Sequence, residues 1–131
     1  MRRWLFEALN GFNEAWDGGE DAEFSWRAQL AGHELHFASE AVVAYRYRAT
    51  PAEVFRRSFR AARNEARLVR EFKAFGCPRP SSRRALRRLV TTVLGLPRVV
   101  MGEESKGRWA RTAGIALGRI AGSYRWGVFA P

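Results

Sequence analysis

Two adjacent carboxylates, Glu20 and Asp21, are the residues of this sequence whose position best suits them to chemistry. They follow the glycine pair Gly18-Gly19, and both fall in the first turn of a predicted helix. Backbone N–H groups at the start of a helix hold a carboxylate in place, and a carboxylate held in this way can act as a general base. The same placement also stabilises a helix by about 0.3–1 kcal/mol without any chemistry. The acidic pair is therefore a candidate site that has a purely structural alternative.

A helix and two short strands are the elements that would position this pair. Residues 20–31 are predicted to form the helix, after a loop at residues 12–19. Residues 33–38 and 41–47 are short and rich in aliphatic or aromatic side chains. In the second of these segments the side chains alternate with a period of two, which is typical of a strand.

The remainder of the chain is predicted to be basic and mostly helical. Residues 51–75 carry the clearest pattern, because Thr50 and Glu53 form a T-x-x-E capping box at its start. Its apolar residues recur every three or four positions: Phe55, Phe59, Ala62, Ala66, Val69 and Phe72. Two further helices are predicted at residues 85–94 and 105–123. The latter places glycines at positions 114, 118 and 122, a spacing that we interpret as close packing within the protein.

Charge is distributed unevenly along the 131 residues, which provide room for one domain. Residues 1–40 hold three Lys/Arg and eight Asp/Glu, a net charge of −5, whereas residues 41–131 hold twenty and five, a net charge of +15. A basic surface of this kind suits phosphate, lipid or another protein.

Several classes of protein are disfavoured by composition. The single Cys77 cannot form an internal disulfide, and no Cys/His cluster has the spacing of a zinc site. We expect neither a signal peptide nor a membrane-spanning segment, because the apolar runs are short and interrupted by charge, glycine or proline. We expect the protein to lie in the cytoplasm. Peripheral contact with the inner face of the membrane is an alternative compatible with that location.

Four short motifs follow one another in the first half of the chain. They are Gly11-Phe12-Asn13-Glu14, Glu20-Asp21, Trp26-Arg27, and the string Ala41-Val42-Val43-Ala44-Tyr45-Arg46-Tyr47-Arg48. Their order resembles the C-terminal half of the catalytic domain in family 2 glycosyltransferases, the inverting GT-A group that uses nucleotide-sugar donors. The resemblance implies an α/β fold, α+β for the isolated chain. Residues 1–76 would be the C-terminal part of the catalytic domain, and residues 77–131 a basic helical tail.

The same resemblance implies roles for individual residues. Asp21 would be the base that deprotonates a hydroxyl acceptor, with Glu20 as an auxiliary carboxylate. Trp26, Arg27, Arg46 and Arg48 would contact the substrates, the arginines balancing the charge of the departing nucleoside diphosphate. The partners would be a nucleotide-sugar donor and a hydroxyl or lipid-linked acceptor. We expect the chain by itself to be inactive, because the donor-binding half of the family precedes this region.

Two departures bear on the cofactor that the resemblance implies, a divalent metal such as Mg²⁺ or Mn²⁺. Ala44 stands where the family string commonly has a histidine that helps to hold the metal, and the sequence contains no Asp-x-Asp motif. We therefore assign no metal ligand in this chain. Asn13 in place of the usual aspartate is a milder change.

Other interpretations remain open for these residues. Trp26 suits core packing, and Arg27 has Glu23 one helical turn earlier as an ion-pair partner. Our first interpretation of the basic face of residues 51–75 is a solvated helix surface. It also suits a non-catalytic interaction module that binds an anionic membrane surface or a partner subunit. Nucleic-acid binding ranks third, since no known nucleic-acid-binding motif occurs.

Overall fold

The computed structural model describes residues 1–45, 50–78, 81–96 and 102–128, and the regular structure in these ranges is helical. The helices are α1 (Arg3–Ala8), α2 (Glu20–Leu30), α3 (Pro51–Phe72), α4 (Ser82–Leu94) and α5 (Glu103–Trp126), and a 3₁₀ turn at Lys73–Phe75 extends α3. The chain divides into two compact units, Met1–Tyr47 and Arg48–Pro131. The boundary placed at residue 76 from the sequence thus falls inside the second unit. No described helix is both long and apolar enough to cross a bilayer.

The predicted α/β fold is wrong for this chain. Residues 33–38 and 41–45 have no strand structure, and the end of the second predicted strand, at residues 46 and 47, lies outside the described residues. A turn does form where the two segments meet, with the N–H of Ala41 bonded to the carbonyl of Ala38 at 3.1 Å. The alternating pattern is real, but a strand needs a neighbour to accept its backbone hydrogen bonds, and an isolated two-stranded hairpin is marginal in water. The apolar side chains of the segment consequently lie open, and Phe37 is 95% exposed.

Unit one has its own apolar cluster, built by α1, α2 and the loop between them. The rings of Phe6, Phe12 and Phe24 contact one another with centroids 5.3–5.6 Å apart. Trp16, from the same loop, is buried. These contacts shape the loop that leads into α2.

Unit two is organised by the pairing of α3 with α5. Thr50 and Glu53 form the predicted capping box at the start of α3, each side chain bonding the other residue's backbone N–H. The apolar stripe of α3 is packed, with Ala62, Ala66 and Val69 buried. The predictions of a helix here and of its apolar face are confirmed.

The glycines of α5 bring the two helices into close contact. A Cβ on Gly114 would lie 2.7 Å from the carbonyl oxygen of Phe55, and one on Gly118 would meet the carbonyl of Phe59. A Cβ on Gly122 would meet the carbonyl of Arg63. Because the contact positions rise together on both helices, α3 and α5 run parallel. The glycine spacing therefore serves packing within the protein, as predicted.

Helix α4 returns the chain between these parallel partners and packs on α5. Ala85 of α4 and Gly95, the C-cap residue that follows the helix, are buried, and the indole N–H of Trp109 on α5 donates to the carbonyl of Thr92 at 2.9 Å. Ala85, Thr92 and Gly95 fall on one side of the helix at 100° per residue. That side is not the one that carries the large apolar residues of α4.

Candidate functional site

The start of α2 is set by two glycines with positive φ angles. Gly18 and Gly19 have φ values of 99° and 89°, a region that L-residues with side chains rarely adopt. Gly19 is the N-cap residue and supplies no side chain to the first turn. Glu20, Asp21 and Glu23 fill that turn instead, where the helix dipole favours negative charge.

These three carboxylates have different surroundings. Asp21 is exposed, and its Oδ1 accepts a hydrogen bond from the N–H of Ala22 at 2.8 Å. Glu20 is half-buried, and its Oε2 is enclosed without a hydrogen-bond partner in the described structure. Glu23 is buried and bound to Arg27. Asp21 is thus the carboxylate of this turn that an incoming molecule reaches.

Arg27 connects the preceding loop to α2 through hydrogen bonds. Its Nε and Nη2 donate to the two carboxylate oxygens of Glu23 at 2.7 and 2.9 Å. Its Nη1 and Nη2 also donate to the carbonyl oxygens of Leu9 and Gly11, and the second of these bonds is 2.7 Å long. The predicted pair with Glu23 is confirmed, and the two carbonyl bonds are an addition that sequence spacing does not indicate. The guanidinium group is therefore engaged inside unit one and positions the loop below the acidic turn.

The other predicted site residues are Trp26, Arg46 and Arg48. Trp26 lies in α2 and is half-buried. Arg46 and Arg48 lie outside the described residues. The structure accordingly places Glu20, Asp21, Trp26 and Arg27 on one helix, with Arg27 bound to Glu23.

Among the described residues, no group of three or more His, Cys, Asp or Glu side chains is arranged to hold a metal ion. We assign no ligand here for the divalent metal that the family resemblance implies.

A second polar region, which the sequence patterns did not single out, lies where α3 and α5 end side by side. Arg70, Lys73 and Arg125 line an open groove of about 620 Å³ with Tyr124 and Trp126. Arg70 donates to the carbonyl of Trp126 at 3.3 Å, and the guanidinium of Arg125 lies 5.4 Å from the indole centroid of Trp126. Two parallel helices place both of their negative dipole ends at this point, and cations there are stabilising. The parallel packing by itself accounts for this basic cluster.

Comparison with protein-family models, with curated proteins and with solved structures finds no match to this chain. The proposal below accordingly rests on the residues of the acidic turn and on their motif pattern.

Proposed function

We propose that this chain supplies the acceptor-side carboxylate of an inverting glycosyltransferase resembling family 2, acting with a donor-binding half contributed by other polypeptide. The observation that carries the proposal is the contrast within the first turn of α2. Glu23 is buried and paired, whereas Asp21 is exposed and accepts one backbone hydrogen bond. A carboxylate that must collect a proton from a substrate has to be reachable in this way.

The step assigned to Asp21 is a proton transfer coupled to substitution. The acceptor hydroxyl oxygen attacks the anomeric carbon of the sugar while the carboxylate takes the hydroxyl proton. The bond between that carbon and the diphosphate oxygen breaks, and the nucleoside diphosphate leaves with the electron pair. Attack from the face opposite the leaving group inverts the anomeric centre.

Support for this role comes from the way in which the acidic turn is held. Arg27 fixes the loop that precedes α2 through the carbonyls of Leu9 and Gly11, so the first turn rests on an ordered base. A positioned general base contributes about 10²–10⁴-fold to a rate, and that contribution depends on fixed geometry. The half-buried Glu20 raises the density of negative charge beside Asp21.

The exposed apolar segment at residues 33–45 is consistent with a second polypeptide region packing on unit one. Leu35, Phe37, Val42 and Val43 are all largely exposed. Exposed apolar groups so close in sequence are typical of a surface that another protein covers. A donor-binding half would occupy that surface in the active enzyme.

The proposal is tested by a transfer assay on the chain co-expressed with the coding sequence immediately upstream of it. Labelled nucleotide sugars are the donors, membrane lipid extracts are the acceptors, and release of nucleoside diphosphate is the readout. We expect Asp21→Asn to lower kcat about 10²-fold or more with little change in KM for the donor. Glu34→Gln, an exposed carboxylate of the same unit outside the four motifs, is the matched control and should retain activity. Equal activity of Asp21→Asn and the parent, or the absence of transfer from every donor, would contradict the proposal.

A further inference from the structure

Helix α4 presents its apolar side to solvent. Its large apolar residues fall at steps of three and four, so they share one face. On that face Leu86, Val93 and Leu94 are 64%, 62% and 70% exposed, and Leu89 and Val90 are also open. Leu96, just beyond the end of the helix, extends the surface.

The opposite side of the helix is the one that packs. Thr92 and Gly95 contact Trp109 of α5, and the buried Ala85 lies on the same side of the helix. At 100° per residue, the centre of the exposed apolar face lies more than about 120° around the helix from this packed side. An amphipathic helix of a globular protein normally buries its apolar stripe and exposes its polar one. In α4 the arrangement is reversed.

The charge around this face has a single sign. Residues 81–101 contain five arginines and no aspartate or glutamate. Arg83 and Arg87 are exposed, and their positions on the helix border the apolar face. Cations along the edge of an exposed apolar stripe are the pattern of helices that lie at a lipid–water interface.

We propose that α4 is a membrane-docking helix, which lies flat in the surface of an anionic lipid bilayer with Leu86, Val90 and Val93 inserted among the acyl chains. Arg83 and Arg87 contact the lipid phosphates at the level of the headgroups. With 13 residues the helix is roughly 20 Å long, too short to cross the hydrocarbon core. Its contact with α5 holds the folded unit against the bilayer.

This surface differs from the one that the sequence pattern favoured. From the sequence, the basic face of residues 51–75 was the expected membrane-binding alternative. In that helix, α3, the stripe residues Ala62, Ala66, Val69 and Phe72 are buried, and Phe55 and Phe59 are half-buried, so little of its apolar face is open to lipid. The apolar side of α4 remains open, and it is the surface that a bilayer would cover.

Charge complementarity favours lipid over a second copy of the chain. Packing α4 against α4 of another molecule would bring arginine edges together with no carboxylate on either helix to balance them. A nucleic acid would satisfy the arginines but would leave the row of leucine and valine side chains in water. An anionic bilayer offers both the apolar interior and the negative headgroups.

The test is co-sedimentation of the full chain with phosphatidylcholine vesicles and with vesicles that also contain phosphatidylserine. We expect binding to the anionic vesicles, weakened but not abolished by high salt, because apolar insertion is insensitive to screening. Leu86→Ser combined with Val93→Ser should weaken binding about tenfold or more. Leu117→Ser, an exposed leucine on α5, is the matched control and should bind as the parent does.

A second pair of variants separates α4 from net charge. Arg87→Gln should weaken binding to anionic vesicles about fivefold. Arg56→Gln removes the same charge from the exposed side of α3 and should have a smaller effect. Depth is read from an environment-sensitive dye in a Cys77→Ser background. A dye at Val93→Cys should shift to the blue on vesicle binding, and a dye at Arg111→Cys should not.

Three results would overturn the proposal. One is vesicle binding that the apolar double variant leaves unchanged while circular dichroism shows a native fold. Another is a dimer in analytical ultracentrifugation that this variant converts to a monomer, without vesicle binding by the parent. The third is binding to a random single-stranded RNA with no binding to either vesicle, which would assign the arginines to nucleic acid.

Discussion

Helices α3 and α4 carry the same kind of sequence pattern, but their apolar stripes differ in how far the structure buries them. Each has an apolar stripe, and each has arginines over much of its remaining surface. Most of the stripe of α3 is buried, whereas the stripe of α4 faces outward although α4 also packs on α5. An amphipathic pattern therefore defines a face, and the neighbouring helix decides whether that face is the one packed.

The neighbour makes this choice through the size of its residues. Toward α3, helix α5 presents glycines at every fourth position, which let two backbones approach and let Ala62 and Ala66 interlock with them. Toward α4 it presents Trp109, whose ring fills the space beside Gly95 and whose N–H bonds a carbonyl. Close packing of small residues covers the apolar stripe of α3. The large ring of Trp109 packs against small residues, and in α4 these lie on the side opposite the apolar stripe.

The largest expected effect comes from adding one methyl group to the α3–α5 contact. Gly118→Ala would place a Cβ against the backbone of Phe59 and 3.0 Å from the Cβ of Ala62, so the helices must separate. We expect a loss of about 3 kcal/mol in the free energy of unfolding, measured by urea denaturation. Gly107→Ala is the control on the same helix, where an added Cβ meets nothing within 4 Å. It should stabilise by about 0.5–1 kcal/mol, and equal effects of the two changes would show that the glycine contact is not tight.

Two valines compare the stripes directly. Val69 on α3 is 2% exposed, and Val93 on α4 is 62% exposed. Val69→Ala should cost about 2 kcal/mol of unfolding free energy, because methyl groups are removed from a packed site. Val93→Ala should change stability by less than about 0.5 kcal/mol. A comparable loss at Val93 would mean that the face of α4 is covered within the chain.

A smaller effect is expected at the ion pair that joins α3 to α5. Arg119 is almost buried and donates to both carboxylate oxygens of the partly exposed Glu65 at 2.6–2.9 Å. Glu65→Gln leaves that guanidinium without a counter-charge and should cost roughly 1–2 kcal/mol in thermal or urea unfolding. Glu104→Gln breaks the exposed pair with Arg108 and should cost less than about 0.5 kcal/mol. If the two variants unfold alike, the pair of Arg119 with Glu65 contributes no more than a surface pair.

The smallest effect concerns Cys77, which follows the end of α3. Burial, reinforced by the negative charge of Glu65, raises the pKa of the Cys77 thiol above its ordinary value. The folded thiol should therefore alkylate more slowly at mildly alkaline pH than the same thiol in urea. Because the unfolded thiol ionises first, the contribution of Cys77 to stability is complete below the pKa of the unfolded thiol and is lost as the pH rises through the pKa of the folded thiol.

Cys77→Ser should remove this slope from the pH dependence of unfolding. Glu65→Gln should remove part of it, since the carboxylate is the lesser of the two causes. Identical alkylation rates for the folded and unfolded chains would contradict the burial of the thiol.

Features governed by neighbouring residues were predictable from the sequence. The capping box of Thr50 and Glu53, the stripe of α3 and the pair of Arg27 with Glu23 depend on spacing within one helix, and all three occur. The strands predicted at residues 33–38 and 41–47 are wrong over their described parts, 33–38 and 41–45. A strand is completed by a partner that is often distant in sequence, and alternation alone does not supply one.

Features that depend on the path of the chain were not predictable. The bonds from Arg27 to the carbonyls of Leu9 and Gly11 require the loop to fold back over α2, which no local pattern encodes. The outward face of α4 is of the same kind, because it follows from which side of the helix fits Trp109. For the candidate site, the acidic turn at Glu20 and Asp21 could be located in advance, whereas the loop that supports it could not.

The parallel pairing of α3 and α5 also has a consequence during synthesis. Glu65 cannot form its ion pair until Arg119 has been synthesised, 54 residues further along the chain. At ribosomal rates this is an interval of roughly 3–10 s in which the stripe of α3 has no partner. During that interval the apolar stripe of α3 is exposed on the nascent chain and open to chaperones and other apolar surfaces. It is covered only after the glycines of α5 have been synthesised.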